Sequence, residues 1–553
     1  MHEQIFISYI SPPSWNSSST PSSSSPPSSL QRNSRLLRLR SKALDRLKLA
    51  TGRPHGNSGA CHAAASTHAS MRSRAGGART ACGSRCSKSH GAVHAWRSSC
   101  GQIPAAVVVT CRLPPAPAGG HVARESSFRY HDISYRRRGA ENIAAANVIL
   151  YGPIDMLFAP FGEYYKKVRR LFVMELMSPK RVQSYQSARE IETVDLLNIV
   201  ENHRLASTPV NFSELFHIYT NNLIARVAFG KRSKHGKDFL DAFKESLQLA
   251  SGFNAVDLFP SMAGFIGLVT GMTTKIDRCH KKVDGILQGV IDDRREQIAK
   301  EAEDVDGGGR RGESEVENIL DVLCKIRDEG GYDLELDHTS MKAVLFDIFA
   351  GGSGTSASAM TWTMSELICN PAAMKKAQDE VRQVVGNSPK ITEAHIKQFH
   401  YLKLVIKESL RLHPPAPLLV PRLTTDAFKI HNYDIPLKTL VVFNAYAMAR
   451  DPEFWPEPEV FKPERFEESS VDFKGTNYEF IPFGAGRRLC PGIMFGLVGM
   501  EIALANLLCY FDWRMPEGMA KLDMSEISGL GARRKYDLCL CPVPFAPLPV
   551  DVY

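Results

Sequence analysis

The 553 residues permit one very large domain or a few ordinary ones, and 43% hydrophobic with 23% charged residues is the balance of a chain with a soluble folded core. The net charge of +9 is unevenly spread: residues 1–145 hold 20 Lys and Arg against 5 Asp and Glu, or +15, and the remaining residues hold 48 against 54, or −6. A mildly acidic body behind a basic head excludes reading the whole chain as a nucleic-acid binder, and no nucleic-acid partner is expected.

The head comes first. In SPPSWNSSSTPSSSSPPSSL, residues 11–30, 16 of 20 side chains are Ser or Pro, which leaves little apolar surface to bury and predicts disorder. The following stretch, rich in Arg, Ser, Ala, Gly and His, keeps neither helical nor strand period. Five of the 12 cysteines fall here, at Cys61, Cys82, Cys86, Cys100 and Cys111. CGSRC has the spacing of one half of a zinc site, but no second pair follows at a finger interval. The seven later cysteines are scattered, as reduced thiols are. AAVVVT is the longest apolar run of the head and is too short to cross a bilayer. Met1 opens no charged-then-apolar leader, and the Ser- and Arg-rich, acid-poor composition fits a plastid transit peptide only loosely.

From about residue 146 long helical patterns begin. VQSYQSAREIETVDLLNIVENH and KIDRCHKKVDGILQGVIDDRREQIAKEAE read as amphipathic helices, the second broken by the exposed loop DVDGGGRRGE. A long helix is predicted from His338 to Cys369, stopped by Asn370-Pro371, with Pro371 in the first turn of a helix that closes at Gly386. FKIHNYDIP and TLVVFNAYA read as short strands. GIMFGLVGMEIALANLLCYF, residues 492–511, carries Glu501 and three glycines and reads as a buried core helix rather than a membrane span. The expected organisation is a largely disordered basic head over residues 1–145 and one large domain over 146–553, mainly α with small β-sheets.

Directly before that last helix stands FGAGRRLCPG, a single cysteine behind two arginines with glycines on both sides. A thiolate is a good ligand for iron, and for haem it donates electron density through the metal. It needs small residues where the flat macrocycle approaches the backbone, which Gly484, Gly486 and Gly492 supply. It needs N–H groups aimed at the sulfur, expected from the N-terminus of a helix led by Pro491. It needs a cation for the haem carboxylates, expected of Arg488. The pattern F-x-x-G-x-R-x-C-x-G is complete in Phe483, Gly486, Arg488, Cys490 and Gly492.

With these residues the chain resembles the cytochromes P450, haem-thiolate monooxygenases, and more narrowly the large plant clan of microsomal members, over about residues 146–553. Further motifs stand in the family's order. KESLRLHPPAPLLVPR carries E-x-x-R as Glu408 and Arg411, and FKPERF carries Arg465. The resemblance implies that these three form a buried network under the cysteine loop. Glu408 and Arg411, three apart, share a helix face, and Leu402, Val405, Ile406 and Leu410 turn that helix toward the core. W-x-x-P-x-x-F follows as Trp455, Pro458 and Phe461.

AGGSGTSA, residues 350–357, lies inside the long helix. Glycines there cost about 1 kcal/mol each against alanine, so they mark either close packing against a neighbour or an opening of the helix over the haem. The resemblance makes Thr355 and Ser356 the catalytic pair near bound oxygen. The acid that the family usually places before the threonine is Gly354 here, which leaves water or Thr355 to relay protons. The resemblance also assigns haem carboxylates to Arg169, Arg422 and the position of Tyr165, where the family typically has Trp; a phenol still donates one hydrogen bond. Lys438 holds a turn position usually given to glycine.

Haem b with its iron held by Cys490 is the implied cofactor, and a separate NADPH-cytochrome P450 reductase is the implied electron donor. The substrate is expected to be a lipophilic small molecule, lined by the Ala350 helix, Pro417 to Val420, Phe253 to Phe259 and Ile527 to Gly531. The family's site of work is the cytosolic face of the endoplasmic reticulum membrane, a plastid being the lesser alternative. No anchor is recognisable in the head, whose composition resembles a wrong reading frame; RLPPAPAG, residues 112–119, faintly echoes the family's proline hinge. The alternative function is a haem-binding protein impaired in turnover because its channel wall is missing; a haem-thiolate isomerase or dehydratase that needs no O2 is a third option.

Overall fold

The computed structural model describes residues 148–230, 236–249, 262–306, 317–330, 334–430, 433–437, 439–527 and 531–549, with the backbone of Val93–Ala95 and Ala106–Val109. All belong to the unit Cys86–Tyr553. The architecture is mainly helical with small sheets.

Its axis is the helix His338–Cys369. Asp337 starts it by accepting the Ser340 N–H at 2.7 Å, and Asn370 and Pro371 stop it. Pro371–Val385 follows and ends at Gly386, φ +53°. The central helix is buried nearly all round, so its hydroxyls have no water to bond. Thr361, Thr363 and Ser365 donate instead to the carbonyls one turn back, at 2.7–2.8 Å.

The glycines of AGGSGTSA sit in an unbroken helix. At Gly352 a Cβ would stand 2.8 Å from Ile224 Cδ1, so glycine is the residue that lets the helix Phe212–Phe229 approach. Thr220 Oγ1 of that helix donates to the Ser353 carbonyl at 3.1 Å. The close-packing reading accounts for Gly352, and the helix is continuous through this segment. Along the same contact Phe229, Phe239, Phe243, Phe346 and Phe349 form an aromatic cluster with ring centroids 4.7–6.1 Å apart. Burying each such ring contributes roughly 1.5–3 kcal/mol.

Other elements refine the sequence reading. The amphipathic stretch near residue 182 divides at Tyr185 into Pro179–Ser184 and Gln186–Leu205. The second long helix runs Met272–Asp306, and the loop predicted after it falls mostly outside the described residues. FKIHNYDIP is two strands, Phe428–Ile430 and Tyr433–Ile435, paired antiparallel. TLVVFNAYA is strand only over Leu440–Phe443; Asn444 then accepts the Ala447 N–H at 2.9 Å and caps the helix Ala445–Met448. Side-chain capping wins there over strand propensity.

Ala106–Val109, from within AAVVVT, pairs parallel with Leu440–Phe443, and Val93–Ala95 pairs with it antiparallel. Arg422–Leu423 completes this four-stranded sheet. A second sheet joins Val210–Asn211, Cys539–Pro544 and Phe511–Arg514. Cys82 and Cys86 of CGSRC, and all of residues 1–145 except the strands Val93–Ala95 and Ala106–Val109, lie outside the described residues.

The helix Ile493–Tyr510 is long and apolar enough to cross a membrane, but 67% of that window is buried among other elements, as the core-helix reading requires. It begins at Ile493, with Gly492 flanking it, rather than at Pro491. The cysteine loop leads directly into this helix, whose Gly496 lies against Ser356 of the central one.

Candidate functional site

Two glycines in the cysteine loop are there for conformation: Gly484 and Gly486 have φ +73° and +70°, a region open to few other residues. The turn they make folds Cys490 back so that its N–H donates to the Phe483 carbonyl at 3.0 Å. Gly492 is different. Its φ of −90° suits any residue, and a Cβ there would stand 4.0 Å from the Cys490 sulfur. Glycine at 492 keeps the flank of the sulfur clear. Burial pushes the Cys490 thiol above its ordinary value, while the Gly492 N–H bonded to it and the nearby Arg169 charge pull it back.

Arg169 lies on the helix Glu163–Arg170, half-buried, and among the described residues has no hydrogen-bond or ion-pair partner. Its neighbours are engaged. The Tyr165 hydroxyl donates to the Arg487 carbonyl at 3.1 Å. Arg488 crosses the Tyr165 ring at 4.1 Å and donates to the carbonyls of Leu157 and Ala159 at 3.3 and 2.6 Å. Arg422, 6% exposed, donates to the Ala485 carbonyl at 3.3 Å and lies over Phe443. The cysteine loop is thus encircled by four arginines from three parts of the chain, Arg169, Arg422, Arg487 and Arg488.

Glu408 and Arg411 are fully buried on the helix Tyr401–Leu412. Arg411 grips Glu408 with two bonds of 2.8 Å and spends its remaining donors on the carbonyls of Ala449, Pro458 and Val460. Arg465 and the Lys462 N–H both donate to Glu408 Oε1 at 2.9 Å. Both oxygens of the buried carboxylate accept hydrogen bonds, four in all, as a buried charge requires. Contact then passes through aromatic rings. The Arg411 guanidinium lies over Trp455, Trp455 meets Phe480 edge-on, and Phe473 links Phe480 to Phe483. Phe483 is the residue whose carbonyl holds Cys490.

On the central helix, Thr355 is exposed and its hydroxyl donates to the Gly351 carbonyl at 2.6 Å. Ser356 points elsewhere, its hydroxyl 3.5 Å from where a Cβ on Gly496 would be, at the contact with the cysteine helix. The two residues do not share a site. Leu418 and Val420 of the expected pocket wall are exposed, and Leu419 between them has φ +52°. Phe253 to Phe259 and Lys438 lie outside the described residues, as do residues 528–530.

A buried acid pair had no signal in the sequence. Asp155 and Asp347 are 1% and 9% exposed. Asp347 accepts the Met156 N–H at 2.7 Å, and Asp155 accepts the Phe158 N–H at 2.8 Å. Burial pushes Asp347 up to about 7; burial and then the Asp347 charge hold Asp155 well above the carboxylate range. The pair ties the central helix to the loop whose carbonyls receive Arg488. The two acids are 192 positions apart by their numbers, so only folding brings them together.

The donor set fits a haem. A single half-buried thiol carries an N–H on its sulfur, a glycine keeps its flank open, and the half-buried arginine beside it has no anionic partner among the described residues.

Comparison with known proteins points the same way. The family model described as Cytochrome P450 matches residues 130–540. Premnaspirodiene oxygenase of Hyoscyamus muticus is 41% identical over 76% of this chain and 82% of its own length. Desmethyl-deoxy-podophyllotoxin synthase of Sinopodophyllum hexandrum is 43% identical over 74% and 79%. Tabersonine 16-hydroxylase 2 of Catharanthus roseus is 39% identical over 76% and 82%.

Proposed function

The chain belongs to the cytochrome P450 family and is a haem-dependent monooxygenase, and on that premise we propose that it inserts one oxygen atom from O2 into a lipophilic plant specialised metabolite, with electrons from NADPH passed on by a separate reductase. The observation that carries this reading is the cysteine loop: one thiol, an N–H on its sulfur, and Arg169 beside it without a partner among the described residues. Cys490 would hold the iron, and Arg169 and Arg422 would hold the haem carboxylates, with Tyr165 and Arg488 bracing the helix and loop behind them. When bound, the haem supplies a redox-active iron centre at which O2 is activated.

The protein's own part is to position and to exclude. Cys490 stays a ligand because Gly492 and Arg169 favour its thiolate against the cost of burial. The Glu408–Arg411–Arg465 network fixes the floor beneath Phe483. Thr355 holds a proton on an exposed hydroxyl and keeps it oriented through Gly351. The relatives' names cite three different compounds at about 40% identity, so likeness alone selects no substrate. We place the reaction at the cytosolic face of the endoplasmic reticulum membrane, as the resemblance to microsomal members implies.

A carbon monoxide difference spectrum of the reduced protein tests the haem assignment. The unaltered chain is expected to give the thiolate-type band and Cys490→Ser to lose it; a band that survives the substitution would remove Cys490 from the iron. The competing reading, haem binding without turnover, has its motivation in the atypical composition of residues 1–145, where the family's channel wall is expected. Steady NADPH consumption with added reductase separates the two, because a protein without turnover consumes none.

A further inference from the structure

Where the helix Phe212–Phe229 crosses the central helix, polar groups collect at Ser353, two residues from Thr355. Thr220 Oγ1 donates to the Ser353 carbonyl, and the Ser353 hydroxyl donates to Asn221. A Cβ built on Gly354 would point at His217, 4.0 Å from its Cε1. The His217 ring is half-buried and, among the described residues, has no hydrogen-bond or ion-pair partner. Outside it stand three exposed charged residues: Lys244 of the helix Gly236–Leu249, and Arg533 and Asp537 of the C-terminal segment. The charges of Arg533, Lys244 and Asp537 act on the His217 ring, and the ring's Cε1 faces Gly354 in the turn that bears Thr355.

We propose that His217 is the proton-relay residue of this active site, carrying protons from the surface to the Thr355 turn across the gap that Gly354 leaves. This rests on the monooxygenase reading above. Oxygen insertion consumes O2, two electrons and two protons, and yields hydroxylated product and water; NADPH and the reductase supply the electrons, and the protons come from solvent. An imidazole suits that traffic, since it accepts a proton at one ring nitrogen and releases one from the other. Burial, then the charges of Arg533 and Lys244, hold His217 below its ordinary value, with Asp537 opposing. The ring is therefore neutral at rest near pH 7, and once protonated it is a willing donor.

The test uses the haem-loaded full chain with reductase and NADPH, without added substrate. His217→Phe is expected to slow NADPH consumption several-fold, to enlarge its solvent deuterium isotope effect, and to abolish a pH dependence that the unaltered protein shows below about pH 6.5. His217→Gln, similar in size but unable to carry a proton, should behave alike; a Gln variant as fast as the unaltered protein would overturn the proposal. A second readout does not depend on turnover. Deuterium exchange at the His217 Cε1, followed by mass spectrometry against pH, reports the ring's own titration. Gly354→Asp places a carboxylate against the ring and should shift that titration upward; an unmoved titration would show that the two residues do not face each other. The carbon monoxide spectrum keeps the two failures apart. A full thiolate band with unchanged rates and isotope effects sinks the relay alone, whereas no band in the unaltered protein sinks the haem reading and the relay with it.

Discussion

At the scale of single residues, the site is governed by how each polar atom is occupied. Thr355 spends its proton on the Gly351 carbonyl within its own helix, yet remains exposed on the side away from that bond. Loss of the hydroxyl in Thr355→Ala is expected to raise the share of NADPH electrons recovered as hydrogen peroxide. An unchanged share would take the threonine out of the mechanism. Asp347 gives a second prediction. Its carboxyl titrates near 7 in the folded chain, against an ordinary value near 3.8. Between those values the folded state holds a proton that the unfolded state has lost, so stability is full below about pH 4 and declines as pH rises toward 7. Asp347→Asn keeps an acceptor for the Met156 N–H but cannot ionise. It should flatten the fall of Tm between about pH 4 and pH 7, and a slope equal to that of the unaltered protein would contradict the shift.

At the scale of elements, the network around Glu408 matters more than any single contact in it. Glu408 and Arg411 are three apart on one helix, and Arg465 arrives from the 3-10 turn Pro463–Phe466. Arg411→Ala would take two of the four hydrogen bonds that buried Glu408 accepts and remove the donor to the carbonyls of Ala449 and Pro458, while Val460 keeps Arg465. Breaking a buried pair from one side costs about 3–5 kcal/mol, so this variant should unfold at distinctly lower urea and lose haem on the way. A loss below about 1 kcal/mol would mean that the network is solvated. The close approach at Gly352 works on the same scale. It allows the helix carrying His217 and Thr220 to lie against the central helix at the turn where chemistry is proposed.

At the scale of the whole molecule, the division between head and body is the open structural proposal. We propose a haem domain over residues 146–553, preceded by a basic segment that contributes little to its core. The family match begins at residue 130, and the strand pairing of Ala106–Val109 with Leu440–Phe443 marks where the two proposals about the head part company. Limited proteolysis decides between them. A stable fragment beginning near residue 140 is expected; one that begins before Val93 would mean that the two strands are held in the sheet and that the domain starts earlier.

The sequence by itself determined the helical body, the ends of the central helix, the glycine-flanked cysteine loop and the pairing of Glu408 with Arg411. Each of these is local: a cap, a proline, a three-residue spacing, a ten-residue loop, and short-range sterics decide them wherever the rest of the chain lies. Only the tertiary structure decided that Thr355 and Ser356 face apart, that Tyr165 and Arg488 spend their donors on carbonyls of other segments, and that Asp155 meets Asp347. It also decided that His217 stands beside Gly354. These relations join residues that lie far apart in the chain or on different faces of one helix, and no periodicity records them. A glycine reads in sequence as a missing side chain; what fills the space it leaves is known only when a second helix has packed against it.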